Sequence, residues 1–358
     1  MERGWRKVRT RMVKISDVRR QGDVIEEAGR ILREGGLVAF PTETVYGLGA
    51  NGLDGEACAA IYEAKGRPAD NPLILHVVNR RMVDSIAEEV TPIAEKLMAV
   101  FTPGPITLVL RKRNHVPDSI TGGLHTVGIR MPDNDIARAM IRAAGVPIAA
   151  PSANTSGRPS PTTAEAVDND IDGRVPLILD GGPCQFGVES TIVDCTGEKA
   201  VILRPGAVTM EMLEEVLGEV ELDPALVGED TVPKAPGMKY RHYAPKAPLT
   251  VLEGEPCNMA KAFRDEVGRL HGEYKQVGVI ASEEVISFLE GLVPEELLVP
   301  YGQQGNLPAI AANIYEALRS FDERDVDCLL AEGTGKEELG LAIMNRLHKA
   351  SGFRSIRV

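Results

Sequence analysis

The sequence predicts an α/β fold in two parts, a larger domain with a mixed, twisted sheet and a smaller domain of alternating strands and helices. With 358 residues, 43% of them hydrophobic, the chain is longer than one domain usually is and can bury two cores. The first 205 residues contain many short apolar runs but few helical patterns between them. Some connections between strands are therefore too short for the crossover that parallel neighbours need, which predicts a mixed sheet. After residue 246, strand and helix patterns alternate more regularly.

The larger part begins with a helix from Asp23 to Glu34, which apolar residues at helical spacing predict and Gly35 ends. The short apolar run Leu37–Phe40 follows as a buried strand, closed by Pro41. Further apolar runs predict strands at 73–78, 107–110, 127–129, 147–150, 177–179, 190–193 and 201–203. Helical patterns lie near 54–64, 81–99 and 134–144.

The smaller part has its own alternating pattern. Strands are predicted at 249–252, 277–281 and 328–332, and helices near 258–271, 308–321 and 339–350. The stretch Leu339–Lys349 is interpreted as core packing rather than a partner surface. The fragment Gly333–Lys336 is not a phosphate loop, because the earlier glycine of the GxxxxGK[ST] spacing is missing and Glu337 follows the lysine.

These patterns divide the chain into four segments: a basic extension at 1–20, the larger domain at 21–206, a linker at 207–246 and the smaller domain at 247–358. The first fourteen residues hold six Lys or Arg and one acid, and we expect this start to be disordered or to be an over-extension, with Met12 as an equally natural beginning. The linker is predicted because residues 233–245 are polar and broken by prolines. Its Tyr240–Tyr243 run mixes aromatic and cationic groups, which favours a lid over a ligand and leaves a solvated connector as the alternative.

The net charge of −12 is unevenly divided along the chain. Residues 1–205 carry 25 Lys and Arg against 26 Asp and Glu, whereas residues 206–358 carry 15 against 26. General nucleic-acid binding would favour a basic face, so this distribution argues against it. The five cysteines form no CxxC pair, which predicts a reducing cytoplasm and neither a disulfide framework nor a zinc set. No apolar run approaches the roughly 18 residues of a membrane span, so no membrane partner is expected.

One polar turn is the first candidate binding site. Lys65 and Arg67 lie two residues apart and lead through Asn71 to the strand of His76. A guanidinium fork and an ammonium suit triphosphate oxygens, and an amide adds a directional contact. A solvated turn is the alternative for the first three residues, and a core position is the alternative for the histidine. Similar clusters at 126–132, 151–161 and 187–191 favour binding, because ligands of open α/β sheets bind at strand ends.

Several longer motifs resemble the YrdC/Sua5 family: PTETVYGLG at 41–49, KGRPADNPL at 65–73, TVGIRMPDN at 126–134, PIAAPSANTSGRPSPT at 147–162 and ESTIVD at 189–194. The second part resembles the long, two-domain Sua5 form through PGMKYRHYAP at 236–245 and GLAIMNRLHKA at 340–350. The resemblance covers nearly the whole chain after Met12. It implies a YrdC-like catalytic domain with a mixed sheet, a linker over the active site at 207–246, and a smaller Rossmann-like α/β Sua5 domain.

The activity that this resemblance implies is L-threonylcarbamoyladenylate synthesis, a nucleotidyl transfer. Threonylcarbamoyl-AMP and pyrophosphate would form from L-threonine, bicarbonate or CO₂, and ATP, with Mg²⁺ on the phosphates. Attack on a phosphate requires positioning and charge neutralisation more than a covalent residue, which suits a pocket of Lys, Arg, Ser and Asn. The product would serve N6-threonylcarbamoyladenosine formation at tRNA position 37 through a threonylcarbamoyl transferase complex, with weak tRNA binding as a further expectation.

The same resemblance transfers the family's site positions to this chain. Residues expected around threonine are Thr44, His76, Arg130, Ala150 through its backbone, and Ser190, with Arg130 on the carboxylate. Residues expected around ATP are Arg67, Asn71, Thr126, Ser152, Ser160, Arg204 and Tyr243. The catalytic polar tetrad would be Lys65, Arg67, Ser152 and Asn154. No metal site made of side chains is expected, because the six histidines show no HExxH pattern and no pairing with cysteine.

Two other interpretations stay open. A module that binds double-stranded RNA or tRNA would use Lys65, Arg67, Arg130 and Arg204 on phosphates, although the charge distribution disfavours it. A carbamoyltransferase of hydrogenase maturation contains a similar domain, but the paired-cysteine zinc motifs of that protein are absent here.

Overall fold

The computed structural model describes residues 8–226, 242–273 and 276–358. They fall into two compact units. Within the described residues, the first unit comprises 8–156, 160–185 and 189–226, and the second comprises 157–159, 186–188 and the chain from residue 242 onward.

The first unit is built on a mixed sheet of eleven described strands. Their bounds are β1 Arg11–Lys14, β2 Val38–Phe40, β3 Gly47–Asn51, β4 Ile74–His76, β5 Ile106–Arg111, β6 Thr126–Arg130, β7 Ile148–Ala149, β8 Leu177–Asp180, β9 Thr191–Asp194, β10 Ala200–Arg204 and β11 Val220–Leu222. Their order across the sheet is β1-β8-β2-β3-β7-β4-β6-β5-β9-β10-β11. The predicted mixed sheet is therefore confirmed.

The strand directions bring several strand ends to one edge of this sheet. Strand β4 is parallel to β6, and β5 is antiparallel to β6 but parallel to β9, which is antiparallel to β10. The carboxyl ends of β4, β6 and β10 therefore lie at the same edge as the amino ends of β5 and β9. The amino ends of β4 and β6 lie at the opposite edge.

Helices pack on both faces of the sheet in the first unit: α1 Gly22–Arg33, α2 Gly55–Lys65, α3 Arg80–Ile86, α4 Pro92–Phe101, α5 Asp118–Thr121, α6 Asp135–Ala144, α7 Ala164–Ile171 and α8 Met210–Leu217. The largest core joins Leu75, Leu108 and Ile129 of the sheet to apolar residues of α2, α3, α4 and α8. On the other face, α1 and α6 cover Phe40 and Ile148.

Part of that second face carries a small apolar cluster to which, among the described residues, only strands contribute. Its buried members are Ile74, Val109, Ile192 and Leu203. We call this region of β4, β6, β5, β9 and β10 the open face, because none of the described helices contributes to the cluster. It continues the face that holds Ile148, because Ile148 pairs with His76, and His76 alternates with Leu75 of the large core.

The second unit contains a parallel sheet of five described strands, in the order β14-β13-β15-β12-β16. Their bounds are β12 Leu249–Glu253, β13 Val277–Ala281, β14 Leu298–Pro300, β15 Cys328–Glu332 and β16 Ser355–Arg357. The helices are α9 Pro256–His271, α10 Glu283–Leu289, α11 Leu307–Arg319 and α12 Leu339–Ser351. Short 3₁₀ turns lie at Pro224–Leu226 in the first unit and Glu295–Leu297 in the second. The predicted α/β domain of Rossmann-like type is confirmed.

Several details differ from the sequence-based expectations. The predicted disorder of the first fourteen residues is wrong for Arg11–Lys14, because this segment pairs with β8 as an edge strand. The single helix expected over 81–99 is two helices, since Thr91 caps a new helix whose first residue is Pro92. Residues 210–222 of the predicted linker form α8 and β11, and β11 extends the first sheet. Residues 227–241 of the predicted linker, which include the first two residues of the predicted lid, lie outside the described residues.

Candidate active site

Polar side chains line one edge of the open face. His76 ends β4, Arg130 ends β6, Thr107 is the second residue of β5, and Ser190 directly precedes β9. Arg204 ends β10 at the same edge. All five residues are at least 95% buried. We call this group the Arg130 edge.

A β-bulge brings Arg204 to this group. Ile202 pairs with Val193, and the register then shifts so that Arg204 pairs with Ile192. Ile202 and Val193 belong to the large core, whereas Ile192 belongs to the cluster on the open face. The extra residue therefore turns the guanidinium away from the core and toward the open face, as bulges do beside functional sites.

Hydrogen bonds connect the members of the Arg130 edge. The Ser190 hydroxyl lies 2.8 Å from the Thr107 hydroxyl and accepts a hydrogen bond from Arg204 Nη2 at 3.1 Å. Arg204 Nε also donates to the Ser190 carbonyl at 3.1 Å. These contacts fix the orientation of the Ser190 hydroxyl, which is fully buried and lies beside the Arg204 guanidinium.

A buried ion pair links Arg130 to the loop between β2 and β3. Glu43, in the loop after β2, has Oε1 2.8 Å from Arg130 Nη2, and both side chains are at most 5% exposed. The pair is close but not aligned as a hydrogen bond. Both Glu43 oxygens, and Nε and Nη2 of Arg130, have no hydrogen-bond partner within the described ranges. Buried polar atoms in native proteins usually have such partners, so this pair has unused capacity for a ligand.

His76 is a neutral neighbour of this ion pair. Burial, and after it the positive charge of Arg130, lower its pKa to about 3. Its Nδ1 has no hydrogen-bond partner in the part of the chain that the structure describes. His76 therefore offers a neutral imidazole, and no positive charge, to a ligand at neutral pH.

The opposite edge of the open face carries the turn predicted to bind phosphates. Thr126 begins β6, and Asn71 and Pro72 shortly precede β4. Arg67 is half-buried and donates to the carbonyls of Asn71 at 3.4 Å and Pro72 at 3.1 Å. We call this group the Thr126 edge.

Lys65 holds the loop that follows β7 in place. Its side chain is 1% exposed, and its ammonium donates to the carbonyls of Ser152 and Asn154. The Ser152 hydroxyl in turn donates to Asn154 Oδ1. Three members of the predicted tetrad thus form one hydrogen-bonded cluster. Lys65 therefore shapes this loop. The phosphate contact that its charge suggested stays a prediction.

The two edges are joined by the alternating residues of one strand. Thr126, Gly128 and Arg130 point to the open face, because Val127 and Ile129 belong to the large core. Four residues of extended strand span about 13 Å. A side chain at Gly128 would meet Thr107 Cγ2 at 3.1 Å and Ile74 Cγ1 at 3.4 Å. The glycine therefore keeps the middle of the face clear.

The remaining predicted residues lie as follows. Thr44 is fully buried, with its hydroxyl 2.9 Å from that of Thr42. Ala150 donates its N–H to the Ile74 carbonyl. The Ser160 hydroxyl is hydrogen-bonded to Glu189 Oε1 at 2.5 Å. Tyr243 belongs to the second unit, where its ring stacks on Tyr315 at 5.2 Å, and its contact with ATP stays a prediction.

Three buried polar residues near the predicted positions were missed. Glu43 and Glu189 lie inside the motifs PTETVYGLG and ESTIVD, where an acid beside an apolar strand was the available signal. Thr107 gave no signal, because a threonine in an apolar run is common in strands. Cys184 lies close to Glu43, and its burial raises the pKa of the thiol to about 12, so it stays protonated at neutral pH.

The described residues offer no group of three or more His, Cys, Asp or Glu side chains that could hold a metal ion. Across the same residues, no helix is both long enough and apolar enough to cross a membrane.

Fold and site together define a two-unit α/β protein with a small-molecule site on one sheet face. Residues 30–206 match the family Sua5_yciO_yrdC, described as "Telomere recombination", and residues 208–352 match "Threonylcarbamoyl-AMP synthase, C-terminal domain". The chain is 48% identical to threonylcarbamoyl-AMP synthase of Pyrococcus abyssi, over 93% of this chain and 96% of the relative. It is 47% identical to that of Bacillus subtilis, over 93% and 94%.

A solved structure agrees with these sequence relations. The crystal structure of P. abyssi Sua5 complexed with L-threonine superposes with a TM-score of 0.90 at 46% identity, covering 98% of this chain and 99% of that one. This chain belongs to the YrdC/Sua5 family of threonylcarbamoyl-AMP synthases. The family predicted from the motifs is therefore confirmed.

Proposed function

We propose that this protein joins L-threonine, bicarbonate or CO₂, and ATP into threonylcarbamoyl-AMP, with release of pyrophosphate. The observation that carries the proposal is the open face, which has a buried arginine for a carboxylate at one edge and phosphate-compatible groups at the other. The names of the relatives support the same reaction.

The chemistry suits this arrangement. The threonine amine takes up CO₂ as a carbamate, and a carbamate oxygen attacks the α-phosphate of ATP. A P–O bond to the α-phosphate forms while the bond to the leaving pyrophosphate breaks. No nucleophilic side chain is required, which agrees with a protonated thiol at Cys184. The protein's contribution is to position two substrates and to stabilise charge.

The roles of the residues follow from their places. Arg130 receives the threonine carboxylate, and Ser190 and His76 supply neutral polar groups beside it. Arg67, Asn71, Thr126 and Ser152 receive ATP, and Lys65 and Asn154 hold the loop of Ser152 in shape. Arg204 and Ser160 were also predicted to contact ATP, but they are hydrogen-bonded to Ser190 and Glu189, on the threonine side of the site, and their contact with ATP stays a prediction. Mg²⁺ arrives bound to the triphosphate.

The product is a mixed anhydride of a carbamate and AMP, and it is therefore an activated acyl donor. We propose that a downstream threonylcarbamoyl transferase complex takes it for N6-threonylcarbamoyladenosine formation at tRNA position 37. A cytoplasmic location and weak tRNA binding belong to the same proposal.

The reaction is tested by incubating the protein with ¹⁴C-bicarbonate, L-threonine and MgATP. We expect one pyrophosphate per labelled nucleotide adduct, and no adduct when any one substrate is omitted. Arg130→Ala should abolish the adduct. Arg142→Ala, which removes an exposed arginine on α6, should leave it unchanged. Pyrophosphate release that does not depend on threonine would contradict the proposal.

A further inference from the structure

The ion pair of Glu43 and Arg130 is incompletely satisfied on both sides. The pair joins Arg130 to the loop between β2 and β3, and both side chains are at most 5% exposed. Two carboxylate oxygens, and two guanidinium nitrogens, have no hydrogen-bond partner among the described residues. A buried ion pair is favourable only when its remaining lone pairs and protons are also satisfied. These atoms therefore need partners that the described part of the chain does not supply.

An α-amino acid has the complementary set of groups. Its carboxylate offers two acceptor oxygens for guanidinium N–H groups, and its ammonium offers three donors for carboxylate oxygens. The two groups sit on one carbon atom, so a receptor for both must present a cation and an anion side by side. Glu43 and Arg130 are side by side, with 2.8 Å between Oε1 and Nη2.

Three side chains next to the pair carry no negative charge that would attract the ammonium. His76 is neutral because burial lowers its pKa to about 3. The thiol of Cys184 is held protonated by its burial. Thr44 presents a hydroxyl that is already paired with Thr42. Glu43, the carboxylate paired with Arg130, is therefore the acceptor that we expect the ammonium to contact.

We propose that Glu43 is a specificity-determining residue that accepts hydrogen bonds from the α-ammonium of the bound amino acid, while Arg130 binds its carboxylate. This inference rests on the proposed function, because it takes L-threonine as the amino acid. A purely structural role, in which Glu43 only orients Arg130, is the alternative that an experiment must separate.

Measuring the binding of two ligands to the wild type and to a Glu43 variant separates the two roles. Dissociation constants are measured without ATP and bicarbonate for L-threonine and for (R)-3-hydroxybutyrate, which lacks the amine but keeps the hydroxyl and carboxylate. We expect Glu43→Gln to raise the dissociation constant of threonine by about 10- to 100-fold, which corresponds to the loss of a charge-assisted hydrogen bond. The dissociation constant of 3-hydroxybutyrate should change by less than about threefold. An equal loss for both ligands, or no loss for either, would overturn the proposal.

Two controls keep the result interpretable. Glu189→Gln changes another buried acid of the first unit, which contacts Ser160 and not Arg130, and should not alter the preference for threonine over 3-hydroxybutyrate. If Glu43→Gln does not fold, Glu43→Asp keeps the charge on a shorter side chain, and it should retain a preference for the ligand with the amine. A wild-type protein that fails to bind threonine would instead refute the proposed function.

Discussion

At the scale of single residues, the Glu43–Arg130 pair combines a stability effect with a binding effect. Removing one charge leaves the other buried and unpaired, which costs about 3–5 kcal/mol, whereas removing both usually costs much less. We therefore expect Arg130→Ala to lower the midpoint of urea unfolding strongly. The double change Glu43→Leu with Arg130→Met should unfold close to the wild type and should not bind threonine. Equal unfolding midpoints for the single and double variants would show that the pair is not buried as described.

His76 gives a second prediction at this scale. Burial, and then the charge of Arg130, lower its pKa from 6.5 to about 3, so the imidazole stays neutral from pH 8 down to pH 5. Nitrogen chemical shifts of the ring, followed by NMR across this range, should not move. Protonation of His76 with a midpoint between pH 6 and 7 would contradict the burial of this side chain against Arg130.

At the scale of elements, strand β6 presents the site on one face and the core on the other. Gly128→Val would place a side chain against Thr107 and Ile74 in the middle of the open face. We expect kcat/KM for threonine-dependent pyrophosphate release to fall by about 100-fold, because misplacement of about 1 Å costs that much. The matched control is Ile129→Val, on the opposite face of the same strand, which should cost about 1 kcal/mol in stability and leave KM unchanged. Equal kinetic effects of the two variants would place the site elsewhere.

The elements also show what the sequence could and could not predict. Apolar runs located β4, β5, β6 and β10 to within about two residues, because buried strands need continuous apolar residues. The bulge at Arg204 could not be predicted, since a shift of register depends on the partner strand. Strand β3 was missed because its residues Gly47 and Gly49 have low strand propensity.

For the candidate site, the sequence predicted the positions of residues but not the contacts between them. Motifs supplied the positions of Arg130, Ser190 and Thr126, and alternation along the predicted strand at 127–129 puts the first and last of these on one face. The sequence does not show that the pairing of β5 with β6 and β9 brings Ser190 to the same edge as Arg130. The partner of Arg130 was not predicted either. That contact joins residues 43 and 130 through the tertiary fold, and no local pattern encodes it.

At the scale of the whole molecule, the acidic charge of residues 206–358 and the burial of the site predict a weak dependence on salt. Buried charges are screened far less than exposed ones, so the dissociation constant for threonine should change by less than about threefold between 50 and 200 mM salt. A protein that bound an RNA duplex through several phosphates would lose about a thousandfold or more in RNA affinity over the same range. Titration of both ligands at the two salt concentrations measures the difference. Tight, steeply salt-dependent RNA binding together with no threonine binding would favour the RNA-binding alternative.

The most direct test of the central claim is a crystal structure of this protein with L-threonine and a non-hydrolysable ATP analogue. The two substrates should lie along the open face, with the threonine carboxylate about 3 Å from the Arg130 guanidinium and the nucleotide at the Thr126 edge. Threonine bound at the Thr126 edge, or a triphosphate bound to the Arg130 guanidinium, would contradict this account.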